Sequence, residues 1–233
     1  MRRGTIAALA AALSVAGGAY LAGRFVPPRF SPLAPLDVAA APVPLVTAMK
    51  LARVRGDPAY CRAALATSSL SATLVPEMSS PRGCELRDVE HIAAGHDPAF
   101  SSSFVATCAL SVDLAMFIAH VVAPAAARDI GSPVVRIDHL GTFACRPIVG
   151  AGTTAELSQH ASANAIDIAG FVFANGDKAT VAHDWHGTDA KAHFIHDVHD
   201  GACGIFPVVL GPDYNAAHQS HLHFDVSGFH FCR

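Results

Sequence analysis

Two short segments carry residues whose types and spacing suit metal chemistry. In the first, Leu157-Ser158-Gln159-His160-Ala161-Ser162-Ala163-Asn164-Ala165-Ile166-Asp167-Ile168, an imidazole precedes a carboxylate by seven positions. In the second, His218-Gln219-Ser220-His221-Leu222-His223-Phe224-Asp225, His221 and His223 are two apart, and on a strand such residues project from one face. A catalytic zinc site takes three protein ligands from His, Asp or Glu and keeps a fourth position open. His160, Asp167 and His223 would supply two neutral nitrogens and one carboxylate, a donor set suited to zinc that leaves one net positive charge to acidify a water.

The histidines are unevenly spread: ten of the 14 lie between His160 and Arg233. His193, His196 and His199 recur at three-residue steps, but they flank Phe194, Ile195 and Val198, so they read as the margin of a packed helix face rather than as ligands. Trp185, the only tryptophan, reads as a core residue. Sixteen Lys+Arg against 19 Asp+Glu give a formal charge of -3, which offers no excess positive field for a polyphosphate and excludes nucleic acid as a partner class.

The elements that must position these groups alternate in character. Leu45 to Arg55, Pro58 to Leu70 and Leu110 to Ile130 have helical apolar spacing, the last closed by Gly131-Ser132-Pro133. Pro133 to Asp138, Ala165 to Phe173 and Lys178 to Ala182 read as strands, with Asn175-Gly176 as a hairpin turn. Thr188 or Asp189 caps a helix to about Cys203, and strands follow at Ile205 to Leu210 and His221 to Val226. Helices and strands interleave without regular βαβ repetition, which predicts an α+β fold with a central, mostly antiparallel sheet flanked by helices.

The first 24 residues hold Arg2 and Arg3 ahead of an uncharged stretch from Thr5 to Gly23, close to the ~20 residues of a bilayer-spanning helix. This pattern reads as a transmembrane signal-anchor in preference to a cleaved signal peptide, and it predicts that the remainder is exported. Residues 25–44 carry six prolines and read as a stiff extended tether, leaving 45–233 as the domain. Six cysteines without a CxxC pair fit three disulfides in an oxidising compartment. Fifteen connectivities are open; sequential pairing, with Cys203–Cys232 stapling the C-terminus, is the working expectation.

The His-x6-Asp and His-x-His segments resemble the signature of the LAS zinc peptidases, the superfamily of lysostaphin, D-Ala-D-Ala metallopeptidases and the sonic hedgehog fold. More closely, the chain resembles the bacterial extensin-like C-terminal domain family, through Thr142-Phe143-Ala144-Cys145-Arg146, Leu157 to Ile168, Ala202-Cys203, Val209-Leu210-Gly211-Pro212 and His218 to Asp225, in order from Cys61 to Arg233. The resemblance implies a LAS/hedgehog-like domain with one Zn2+ on His160, Asp167 and His223. It implies His221 as the base or a residue beside the metal, and Arg146 near the substrate carbonyl or carboxylate. From the residues alone, Arg146 reads equally well as a structural partner of Asp138 or Asp225. The implied activity is a zinc-dependent peptidase or amidase of the periplasm, with zinc-bound water as nucleophile and peptidoglycan peptides as substrate. Two departures stand against it: Ala163 replaces the family's glycine, and Ser220 replaces an acidic residue that serves D-Ala-D-Ala peptidases as base. They keep open a second reading, an inactive zinc-binding envelope module that binds cell-wall peptide or a protein partner.

Overall fold

The computed structural model describes residues 3–95, 97–148 and 156–233. In chain order the strands are β1 (Ala72–Leu74), β2 (Met78–Ser79), β3 (Glu85–Leu86), β4 (Val89–Ile92), β5 (Ala99–Phe100), β6 (Phe104–Thr107), β7 (Val134–Gly141), β8 (Ala165–Phe173), β9 (Lys178–Thr180), β10 (Val208–Leu210), β11 (Leu222–Asp225) and β12 (Phe231–Cys232). The principal sheet runs β12-β10-β11-β8-β7-β5, with β9 also on β8. It is antiparallel except for the β5–β7 and β10–β12 pairs. A three-stranded sheet β1-β4-β6 and the β2–β3 hairpin complete a mixed α+β architecture. The strands between 72 and 107 are too short for a period-two pattern to reveal them.

Helices Cys108–Ile130 and Ala190–Ala202 cover one face of the principal sheet. Phe117 packs edge-on against Phe224 of β11 at 5.1 Å, and Phe194 meets Phe171 and Phe173 of β8, also at 5.1 Å. On β8, Ile166 and Ile168 point into this core, but so do Phe171 and Phe173, which strict alternation would forbid. A register shift against β7 between Asp138 and His139 resolves the conflict by changing the phase of β8 mid-strand. Gly170 sits at the change, where a Cβ would stand 2.7 Å from the Ala179 carbonyl oxygen.

The Cys108–Ile130 helix is apolar and long enough to cross a membrane, yet 67% of its apolar 18-residue stretch is buried inside the domain. It is capped by the Thr107 hydroxyl, which accepts from Leu110 N, and ends on Gly131 in the left-handed conformation. Pro124 has no N–H to donate and lies between π-helical turns at Ile118–Val122 and Ala126–Ile130.

Four expectations change. The first two disulfides are Cys61–Cys108 and Cys84–Cys145, not sequential pairs, whereas Cys203–Cys232 is as expected. Cys61 meets Cys108 because the Pro58–Leu65 helix packs on the start of the core helix. Residues 25–44 are not a free extended tether: Leu36 and Val38 are buried, and Lys50 Nζ donates to the Pro28 and Pro35 carbonyls. The helix from Pro58 stops at Leu65, and the strand from Lys178 gives way at Val181 to a helical turn.

Beneath these helices, Asp113 is fully buried and paired with Arg55, whose guanidinium also reaches the Ile205 carbonyl. Burial outweighs the guanidinium and pushes the carboxyl up to about 7. Because the folded value lies above the unfolded one, this group's stabilisation is complete below pH 4 and is lost as pH rises through 7. Urea denaturation from pH 4 to 7 should show Asp113→Asn lacking a decline of up to about 1.4 kcal/mol per pH unit present in the wild type. Parallel curves for the two proteins would refute the assignment.

Candidate metal centre

The face of the principal sheet opposite the helices carries the polar cluster. Asp167 on β8 stands directly across from His223 on β11, while the flanking pair Ile166 and Phe224 points into the core. One antiparallel register therefore delivers the carboxylate and one imidazole to the same spot.

His160 arrives from a 3-10 turn, Gln159–Ser162, whose N-terminus is capped by Ser158. Two contacts hold its ring and backbone: Nδ1 donates to the Thr142 carbonyl at 3.1 Å, and the His160 carbonyl accepts from Ala144 N. Thr142 is itself tied down by its hydroxyl, which donates to Val105 O. With Nδ1 so committed, Nε2 is the atom that faces the cluster. The turn exits through Ala163 at φ 53 and ψ 35. Alanine therefore adopts here the left-handed conformation that favours glycine, and its buried methyl packs with Leu86 and Val89. The backbone path from His160 to Asp167 survives the replacement. A chain of side chains locks it: Thr107 Oγ1 donates to Asn164 Oδ1, and Asn164 Nδ2 donates to Gln159 Oε1, each at 2.9 Å.

Three donor atoms converge. His160 Nε2 lies 3.2 Å from Asp167 Oδ1 and 3.2 Å from His223 Nδ1, and the last two atoms are 2.9 Å apart. Ligands bound at 2.0–2.1 Å around a tetrahedral ion would be separated by about 3.3 Å, so the trio forms nearly one face of such a tetrahedron. It is one of two groups among the described residues whose donor atoms lie close enough to hold a metal. The other, His199 with Cys203 and Cys232, has both sulfurs committed to a disulfide.

Electrostatics support a cation there. Burial would raise the Asp167 carboxyl, but hydrogen bonds from His160 and His223 override it and hold Asp167 well below the usual carboxylate range. Burial would lower His223, but its bonds to Asp167 and Asp225 win and push it up to about 9.

Asp225 supplies the backing carboxylate, with Oδ2 3.3 Å from His223 Nε2 and Oδ1 accepting from Ser227 N. Its place two residues beyond His223 on the same strand face is a signal that reading Asp225 as an arginine partner overlooked.

His221 joins the same carboxylate, with Nε2 3.5 Å from Asp167 Oδ1, and its buried Nδ1 has no hydrogen-bond partner among the described residues. Burial is the main cause of its lowered pKa, which keeps the ring neutral and able to accept a proton near pH 7. His218, 5.2 Å from His221 ring to ring, is driven down to about 4, first by burial.

These groups line a cleft of about 430 Å³ with Arg146, Ile148, Tyr214 and Asn215. The alternative role for Arg146 fails on geometry: Asp138 is paired with Arg136 and Lys178, and Asp225 with His223. The Cys84–Cys145 disulfide anchors the residue beside Arg146. Ser220 is exposed in the turn before β11. Trp185 is buried against His196 and His199, and His196 bonds its carbonyl, so neither histidine serves the cleft.

Co2+ titration reads out the cluster. Affinity should rise about tenfold per pH unit up to about pH 9, because the metal displaces the His223 proton. Asp225→Ala should weaken binding about 10- to 100-fold, and unchanged affinity would remove Asp225 from the site. Ala163→Gly should stay within about 1 kcal/mol of wild-type stability, since relieved strain offsets a lost buried methyl. Ala163→Val should lose more than about 2 kcal/mol in urea denaturation.

No curated protein and no solved structure matches the chain. The profile of the family described as extensin-like protein C-terminus matches residues 59–233, which include both histidine segments, Arg146 and all six cysteines. The chain belongs to the extensin-like protein C-terminus family.

Proposed function

We propose that the protein is a zinc-dependent peptidase or amidase of the cell envelope that cuts amide bonds in peptidoglycan peptides. The observation that carries this reading is the convergence of His160 Nε2, Asp167 Oδ1 and His223 Nδ1 at the base of an open cleft with His221 and Arg146 on its walls. Two nitrogens and one carboxylate match the donor sets of hydrolytic zinc sites, and the two histidine segments resemble those of LAS peptidases, whose fold we propose for the domain. Zinc at this position supplies Lewis acidity that polarises an amide carbonyl and acidifies water.

The chain's own groups do the remainder. Asp225 and the Thr142 carbonyl orient the two ligand imidazoles. His221, neutral and unpartnered at Nδ1, takes the proton released in the attack and returns it to the leaving amine. Arg146 neutralises a peptide carboxylate or the developing oxyanion.

Placement in the envelope rests on the first helix. Arg3–Phe25 is 23 residues long, about 34 Å at 1.5 Å per residue, and Leu13, Val15, Tyr20 and Leu21 project from it into solvent. A bilayer is the medium that satisfies such a surface, with the domain on the periplasmic side where its disulfides persist. Ser220 favours the second reading, a zinc-binding module without turnover, because it leaves the cleft one carboxylate short of the D-Ala-D-Ala peptidases.

The full-length protein purified without added metal should carry about one equivalent of zinc, and His160→Ala should carry almost none; under about a tenth of an equivalent in the wild type overturns the site. The zinc form incubated with purified peptidoglycan should release new amine termini, with a loss of about 100-fold or more in His221→Ala. Zinc binding without new amines from about pH 5 to 8 would establish the inactive module instead.

A further inference from the structure

Two exposed aromatic rings, Tyr214 and Phe231, stand together at the edge of the cleft. Tyr214 lines the cleft and is 44% exposed, and its ring stands edge-on to His218 at 5.5 Å on the cleft side. On the other side it meets Phe231 at 5.7 Å with planes at 75°. Phe231 is 41% exposed and Phe229, two residues before it, 82%. Elsewhere on the sheet phenylalanines such as Phe171, Phe173 and Phe224 are buried, so these exposed rings are not part of the core.

The platform under the rings is firm. Phe231 belongs to β12, which pairs in parallel with β10 at the sheet edge. Phe231 N donates to Pro207 O and Arg233 N to Val209 O, while Cys232 is tied to Cys203. Rings held this way lose little freedom on binding.

We infer that Tyr214, Phe231 and Phe229 form a glycan-binding strip continuous with the cleft, taking the aminosugar backbone to which a peptide substrate is attached. This deepens, and rests on, the reading of the cleft as a site for peptidoglycan peptides. The chemistry favours a sugar over other occupants. The ring-bearing residues carry no charge, whereas the groups suited to a charged peptide, Arg146 and the His160–Asp167–His223 cluster, lie inside the cleft. A pyranose offers an apolar C–H face for each ring and a rim of hydroxyl and acetamido groups for the Tyr214 hydroxyl and the Asn215 amide. An acyl chain would call for an unbroken apolar concavity, whereas exposed polar Asn215 and His230 are the chain neighbours of Tyr214 and of Phe229 and Phe231. The strip also sets direction: a glycan lying on β12 delivers its pendant peptide past Tyr214 and His218 toward Asp167.

The test uses the full-length protein in detergent and two probes: glycan strands stripped of peptide by an amidase, and free stem peptides. Wild type should retain the bare glycan strands. Phe231→Ala, and Phe229→Ala separately, should weaken that binding about three- to tenfold, the size of one aromatic contact. Free stem peptides should be cleaved equally by wild type and both variants, while glycan-attached peptide is cleaved more slowly by the variants. Two variants guard against one that fails to fold, and circular dichroism with intact disulfides identifies it. Wild type that ignores bare glycan, or variants that bind it as wild type does, would overturn the strip even if stem peptides are cleaved. Glycan retention that depends on Phe231 without any peptide cleavage supports the strip and sinks the hydrolase reading. Loss of stem-peptide binding in Phe231→Ala without glycan binding assigns the rings to peptide and overturns the inference.

Discussion

His223 faces Asp167 across two antiparallel strands, and the rest of the cluster depends on that one pairing. Slipping β11 by a single residue would turn His223 away from Asp167 into the core beside Phe117 and Phe206, and bring Phe224 into the cleft. The apolar face prevents it. Ile166, Ile168, Leu222 and Phe224 are fully buried under two helices, so the hydrophobic free energy of that core holds the register of the polar face. The cluster is therefore stabilised from behind, by residues that never touch it.

The third donor comes from outside the sheet and needs its own restraints. His160 sits on a turn held at one end by the Thr142 segment and at the other by Asn164 and the cap of the core helix. Ala163 pays a local conformational cost at the end of that turn, which persists because the surrounding bonds and its buried methyl over-determine it. The Cys84–Cys145 disulfide restrains the same Thr142 to Arg146 strap covalently. Core register, turn geometry and a covalent link thus converge on a space a few ångströms across.

Charge makes the arrangement demanding as well as compact. One carboxylate oxygen, Asp167 Oδ1, lies within 3.5 Å of nitrogens from His160, His221 and His223. Bonds to Asp167 and Asp225 raise the His223 pKa, and Asp225 steadies the ring from behind. Cleft walls then divide by chemistry, cationic at Arg146 and aromatic at Tyr214, in keeping with a ligand that is charged at one end and neutral at the other.

Much of this was legible in the residues themselves. Period-two spacing located β8 and β11, a cap at Asp189 located the last helix, and donor types singled out His160, Asp167 and His223, three side chains that the fold brings together. Those signals are local: they depend on side-chain chemistry and on a repeat a few residues long. What spans the chain was not legible. Cys61 pairs with Cys108 because two helices pack, Leu36 and Val38 leave a proline-rich stretch to enter the core, and Asp225 serves His223 instead of Arg146. Nor do composition and spacing reveal that Tyr214 and Phe231, 17 residues apart in sequence, meet at 5.7 Å. Residue types determine what each group can do, but which groups meet is decided by long-range packing, whose free energy is shared among dozens of buried contacts and is written in no single segment.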